Sequence, residues 1–192
     1  SQAVIGYLAV FGWYELMNSV NSGEVGSDLL KPLRLFWLWL ARDIGRALGS
    51  FIMRSIPIMV IYAIIFDITV PDSFVRWGVL AVSMILGLMV GFAFRFLVNL
   101  AAFWTPNAIG IGRMAFGLVW ILSGFFMPLR FFPDWFITFA NFTPFPSMVN
   151  TTIEVYLGLL DGQELLLALG QQLLWLVLLF VAAELVLRAG VR

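Results

Sequence analysis

Long apolar runs set the terms on which this chain can fold. Stretches such as IMRSIPIMVIYAIIFDITV (52–70) and LLLALGQQLLWLVLLFVAAELVL (165–187) continue with few charges for the roughly 20 residues that a helix needs to cross a bilayer. Irregular backbone cannot face lipid, so spans this apolar are expected to be helices. Five such segments are read along the chain, at about 1–14, 47–70, 76–103, 107–127 and 164–188. The first is too short to span by itself. It opens on Ser1 without a basic flank, and it reads as the tail of a transmembrane helix whose start is missing. Hydrophobic residues make up 62% of the 192 and charged residues 11%, against about 45–50% and about 25% in soluble domains. The expected fold is therefore an all-α polytopic membrane protein.

The same composition excludes several functions. There is no Cys and no His, and the formal net charge is zero. Thiolate chemistry, disulfides and imidazole catalysis are absent, and a nucleic-acid binder would carry a basic excess. No phosphate-binding glycine loop, Ser/His/Asp set or metal-ligand cluster occurs, so no catalytic residue and no metal ligand is assigned.

Basic residues give the sidedness. The connection after the first segment carries Lys31, Arg34, Arg42 and Arg46, the third connection carries Arg113, and the end carries Arg188 and Arg192. The other connections balance Arg76 against Asp67 and Asp72, and Arg130 against Asp134, Glu154 and Asp161. The basic side alternates, as five spans require. The first and third connections and the C-terminus are expected inside, and 128–163 outside.

That outer region, rich in proline and aromatics, is expected to form one or two short helices dipping back at the surface. Phe131, Phe132 and Trp135 begin a series of rings suited to the membrane–water interface. Asn141 and Asn150 open glycosylation triplets that are read as chance.

Two stripes at i+4 spacing stand out. Ser83, Gly87, Gly91, Arg95 and Asn99 share one helix face, with small residues allowing close approach and a charge near its inner end. Arg95 either snorkels to the inner headgroups or faces protein along a helix interface or a polar path. Arg42, Arg46, Ser50 and Arg54 line the basic face of an amphipathic helix entering the second segment. That face suits anionic headgroups or a protein partner. Asp43 is in reach of Arg46, and Glu184 of Arg188, at helical spacing. Gln171 and Gln172 are placed to hydrogen-bond between helices.

One segment is out of keeping with the rest. NSGEVGSDLLKPLRLFW (21–37) concentrates acids, bases, glycines and a proline on the inner side. A Gly-acid run followed by Leu-Leu-Lys-Pro-Leu just after a membrane segment, with SGFFMPLRFFPDWF and TPFPSMVNTTIEVYLGLLDG further on, resembles the permease subunit of bacterial type-2 ATP-binding-cassette (ABC) exporters. The resemblance covers nearly the whole chain. It implies a single transmembrane domain over 1–192 with five of its six helices visible. It implies a coupling segment at 20–33 that docks on a separate ATPase, and re-entrant helices at 128–163. Ser22, Gly23, Glu24, Asp28, Leu29, Leu30, Lys31 and Pro32 would then meet the ATPase subunit. ATP and magnesium would belong to that partner, with no cofactor in this chain. A second permease, identical or related, would complete the pathway in a bacterial inner membrane, with lipids around it. The wealth of aromatic residues points to an amphipathic or lipid-like cargo. The rival readings are a membrane scaffold without transport, which predicts no ATPase, and a gradient-driven carrier, which wants interior ionisable groups and repeated broken helices.

Overall fold

The computed structural model describes residues 14–65, 73–105 and 107–190, with the side chains of Arg54 and Tyr62 left aside. The first apolar segment lies outside these residues apart from Tyr14, as do Asp67 and Asp72. The described residues are helical throughout, with no strand.

Two short helices, α1 (Glu15–Asn21) and α2 (Val25–Leu29), precede a long one. The long helix runs unbroken from Leu35 to Ile65, as α3 (Leu35–Ser50), a π turn (Phe51–Ser55) and α4 (Ile56–Ile65). The amphipathic stretch and the second apolar segment are thus one helix, longer than the span expected at 47–70. Its 31 residues reach beyond the bilayer core, since about 20 suffice. Pro57 has no N–H to give the carbonyl four residues back. The π turn directly before it widens the helix there instead of breaking it.

Helix α5 (Phe74–Asn99) starts at Ser73, whose hydroxyl accepts from the Arg76 N–H, and continues as a 3₁₀ turn to Phe103. Helix α6 (Ala108–Leu122) is shorter than the segment expected at 107–127. It stops because the chain turns through Gly124 at φ +76°, a left-handed conformation that costs glycine little. A Cβ there would also stand 2.9 Å from the Asn150 side chain. The region expected to hold one or two short helices holds a 3₁₀ turn (Leu129–Phe131) and three helices: α7 (Asp134–Asn141), α8 (Phe145–Met148) and α9 (Asn150–Tyr156). Helix α10 (Gly162–Gly190) ends the fold.

Helices α5 and α10 run parallel. Gln172 donates to the Ser83 carbonyl, Leu179 shares a core with Val90, Ala183 and Leu187 pack with Phe96 and Leu100, and Gly190 abuts Phe103. Helix α6 runs the other way: Gly112 faces Tyr14 and Met17, whereas Leu122 joins Leu129 and Ile153. The described residues therefore have two poles. One gathers α1, α2, the start of α3 and α6, and the ends of α5 and α10. The other gathers α7–α9 with the starts of α5 and α10. Segments expected on one side of the membrane lie at one pole.

Three helices, Leu35–Ile65, Phe74–Phe103 and Gly162–Gly190, are long and apolar enough to cross a membrane, and Ala108–Leu122 is apolar but shorter. Their outward residues, among them Val60, Ile64, Ile85, Met114, Leu173 and Val181, are large, apolar and exposed. Lipid tails are as apolar as leucine, so packing and hydrogen bonds hold such helices to one another. The packing shows at Phe36, buried edge-on against Phe92, Phe96 and Phe180 with centroids 4.9–5.3 Å apart.

Candidate functional site

The polar segment that opened the question of function lies at the first pole. After α1 the chain reverses through Gly23, at φ +80°, into the short helix α2. Pro32 follows, and Arg34 is extended before α3 begins. This brief hairpin divides its residues. Ser22, Gly23, Glu24, Leu29, Leu30, Lys31 and Pro32 are exposed, Leu30 by 88%. Leu33 and Trp37 extend the apolar tip. Asp28 faces the other way, only 4% exposed.

Asp28 is the node that holds the hairpin. Lys31 Nζ donates to it at 2.6 Å, and Arg42 donates from α3 at 3.0 and 3.2 Å. Burial pushes its carboxyl up, but the hydrogen bonds and charges of Lys31 and Arg42 together outweigh this and hold it below the usual value of 3.8. The Arg42 guanidinium also lies 4.8 Å from the Trp39 ring centre. Arg46 pairs with Glu15 of α1.

These contacts revise the reading of the basic face. Arg42 and Arg46 are engaged by acids of α2 and α1, which gives the face a protein occupant where headgroups were one expectation. The Arg54 side chain lies outside the described residues. Asp43 pairs with Arg95 rather than with Arg46, and Glu184 meets Arg34 at 3.4 Å rather than Arg188. Both acids find a partner in a distant part of the chain, where the local spacing had suggested one on their own helix.

Between α1, α2 and α3 lies a cleft of about 580 Å³, lined by Glu15, Asn18, Ser22, Glu24, Trp39 and Arg42 among others. Glu24 stands on its rim, exposed, with no ion-pair partner among the described residues.

The stripe on α5 does not act as one surface. Ser83 and Gly87 serve the second pole: Ser83 meets Thr152 at 3.2 Å, and a Cβ on Gly87 would stand 2.8 Å from the Met148 carbonyl. Gly91 faces open space. Arg95, 8% exposed, binds Asp43 at 2.5 Å, so of its two readings the protein-facing one holds. Asn99 accepts from the Met17 N–H and donates to the Arg95 carbonyl.

At the second pole Phe131 and Trp135 are exposed, while Phe132 stacks on Phe136 with centroids 4.4 Å apart and packs into the core. Gln171 donates to the Asn141 carbonyl, and Gln172 to those of Ser83 and Ser147, as their place in the helix suggested. Asn150 is buried and accepts from the Leu129 N–H, so that triplet is a structural residue, as chance implied. No group of acids that could hold a metal occurs among the described residues.

Sequence reading missed Glu15, Trp39 and the Asp43–Arg95 pair as parts of this pole. Two signals pointed to them: an acid at the end of the first apolar run, and an acid set between two arginines of a basic face.

The described residues thus form a bundle of apolar helices with a polar, outward-facing hairpin at one end. Neither the comparison with curated proteins nor that with solved structures gave a match. The family model described as ABC-2 family transporter protein matches residues 2–192. The chain belongs to that family, and is an integral membrane protein consistent with the permease subunit of an ABC transporter.

Proposed function

We propose that this chain is the permease subunit of an ATP-driven exporter and forms half of a dimeric pathway. The 20–33 hairpin docks on a separate ATPase that binds ATP and magnesium. Closure of the two ATPases on nucleotide draws the paired hairpins together. The helices then tilt as near-rigid bodies and open the pathway outward. The outer region 128–163 caps that pathway, an amphipathic or lipid-like molecule is the cargo, and a bacterial inner membrane is the setting.

The single observation that carries the reading is the division within the hairpin. A solvated loop would expose its charges and hide its leucines. This one does the reverse at Asp28 and Leu30: the acid is buried in ion pairs and the leucine is 88% exposed. An apolar tip beside the exposed carboxylate of Glu24, on a base braced from behind, suits a protein groove.

The test is to co-express the chain with a candidate ABC ATPase subunit and compare native protein with Glu24→Lys and Leu30→Glu. Neither residue supports the fold, so both variants should insert normally and lose most of the co-purifying ATPase. Unchanged recovery of ATPase with both variants contradicts the docking role.

A further inference from the structure

We infer that the buried Asp43–Arg95 pair is a positioning strut that makes the 15–33 hairpin and helix α5 move as one body. The inference rests on the permease reading for what the strut transmits, but not for its existence.

The argument begins with an improbable contact. Asp43 and Arg95 are 6% and 8% exposed and lie on two different long apolar helices. Removing two charges from water costs several kcal/mol per ion, and their attraction recovers this only with good geometry. Apolar side chains would join the helices as firmly. What a single buried ionic contact adds is one register and one direction, because any slip leaves a charge unpaired.

The pair also closes a ring. From α2, Asp28 binds Arg42 of α3. The next residue on α3 is Asp43, which binds Arg95 of α5. One turn on, Asn99 receives the backbone N–H of Met17 in α1, and α1 leads back to α2 through Gly23. Arg46 on Glu15 adds a further tie between α3 and α1. Trp39, Arg42, Asp43 and Arg46 fall at i, i+3, i+4 and i+7 and so form one face of α3. That face lies between the hairpin and α5. Beyond it, α3 leads into a π turn and then α4, whose Val60, Ile61, Ile64 and Ile65 are exposed. The firm attachment of the long helix is at its first half, where the ring is. A push on the hairpin therefore reaches α5 by two routes, through Arg42, Asp43 and Arg95 and through Met17 on Asn99, and the ion pair is the one that fixes register.

The chain has no native cysteine, so cysteines placed at the exposed Ser27 and Ile85 can carry spin labels alone. Distances between them are read by pulsed electron spin resonance in nanodiscs, with labelled chains diluted among unlabelled ones. The native pair should give one narrow distance, kept on nucleotide binding when the ATPase is present. Asp43→Asn and Arg95→Gln should each lose it to a broad distribution, and the exchanged pair Asp43→Arg with Arg95→Asp should recover it. If the single variants do not fold, a folded exchanged pair with the narrow distance still supports the strut. Narrow distances in both single variants overturn it, and so does an exchanged pair that stays broad or unfolded. The measurement without nucleotide needs no motor, so a failure of ATPase to associate would count against the proposed function and leave the strut to be judged separately.

Discussion

The two poles of this molecule are held by different chemistry. At the hairpin pole buried acids are held by ion pairs, Asp28 with Lys31 and Arg42 and Asp43 with Arg95, with Glu15 on Arg46 and the neutral Met17–Asn99 bond beside them. Where α5, α8, α9 and α10 meet, the buried contacts are neutral: Ser83 with Thr152, and Gln172 with the carbonyls of Ser83 and Ser147, beside a glycine in tight backbone contact. The ion pairs of this pole, Arg130 with Glu154 and Arg76 with Asp161, lie towards its exposed surface. Neutral hydrogen bonds join helices in hydrocarbon at a lower desolvation cost than charges do. Ion pairs are affordable where water or a soluble partner is close, and they fix register as well as proximity. The contrast separates an end whose buried acids are ion-paired from an end whose buried contacts are neutral.

The comparison breaks most sharply at Arg95. Arg95→Met leaves Asp43 buried without a partner, and the expected loss is about 3–5 kcal/mol, read as a lower unfolding temperature in detergent. Adding Asp43→Leu should restore most of that stability. A double variant no better than the single one would mean that the pair does not matter as a pair.

At the other pole, Gly87→Val drives a branched side chain into the Met148 carbonyl and Thr152, at an expected cost of about 1–3 kcal/mol. Gly91, one turn along the same stripe, faces open space. Gly91→Ala meets no neighbour and should not destabilise; alanine's helix preference should raise stability by up to about 1 kcal/mol. Equal effects at the two glycines would show that the stripe packs as one surface after all. Gln172→Leu removes two hydrogen bonds to carbonyls and is expected to cost about 1 kcal/mol, independent of salt.

The effect at Asp28 is small and depends on pH. Its folded-state carboxyl titrates below the ordinary value of 3.8. Its contribution to stability is therefore complete above that pH and is lost as the pH falls through the lower folded value. Lys31 and Arg42 are each exposed enough to be screened, so Asp28→Asn should cost less than about 1 kcal/mol at neutral pH. The difference between variant and native protein should vanish in acid and shrink in high salt, which unfolding curves at several pH values and salt concentrations would show. A difference that grows in acid contradicts the pairing.

Much of this was legible in the sequence, because membrane helices announce themselves by length and apolarity. The runs at 76–103 and 164–188 match α5 and α10 closely, and the unusual polarity of 21–37 marked the hairpin. The places where reading stopped short have physical reasons. Pro57 lies inside the second apolar segment, where a proline would break an ordinary helix, yet a π turn absorbs it within one long helix. The end of α6 depends on Gly124 fitting against Asn150, a contact 26 residues away. Local spacing paired Asp43 with Arg46, whereas the partner chosen was Arg95, 52 residues on. Helical periodicity tells which residues share a face but not what that face meets. For the same reason Asp28 could be seen as a charge in the hairpin, but not as its inward-facing anchor.

The most direct test is a photoreactive amino acid placed at Leu30, in chains co-expressed with a candidate ABC ATPase subunit. The account predicts that light joins residue 30 to the ATPase subunit and that the yield changes when ATP is added. Crosslinks to lipid alone, with the ATPase present in the same membranes, would contradict it.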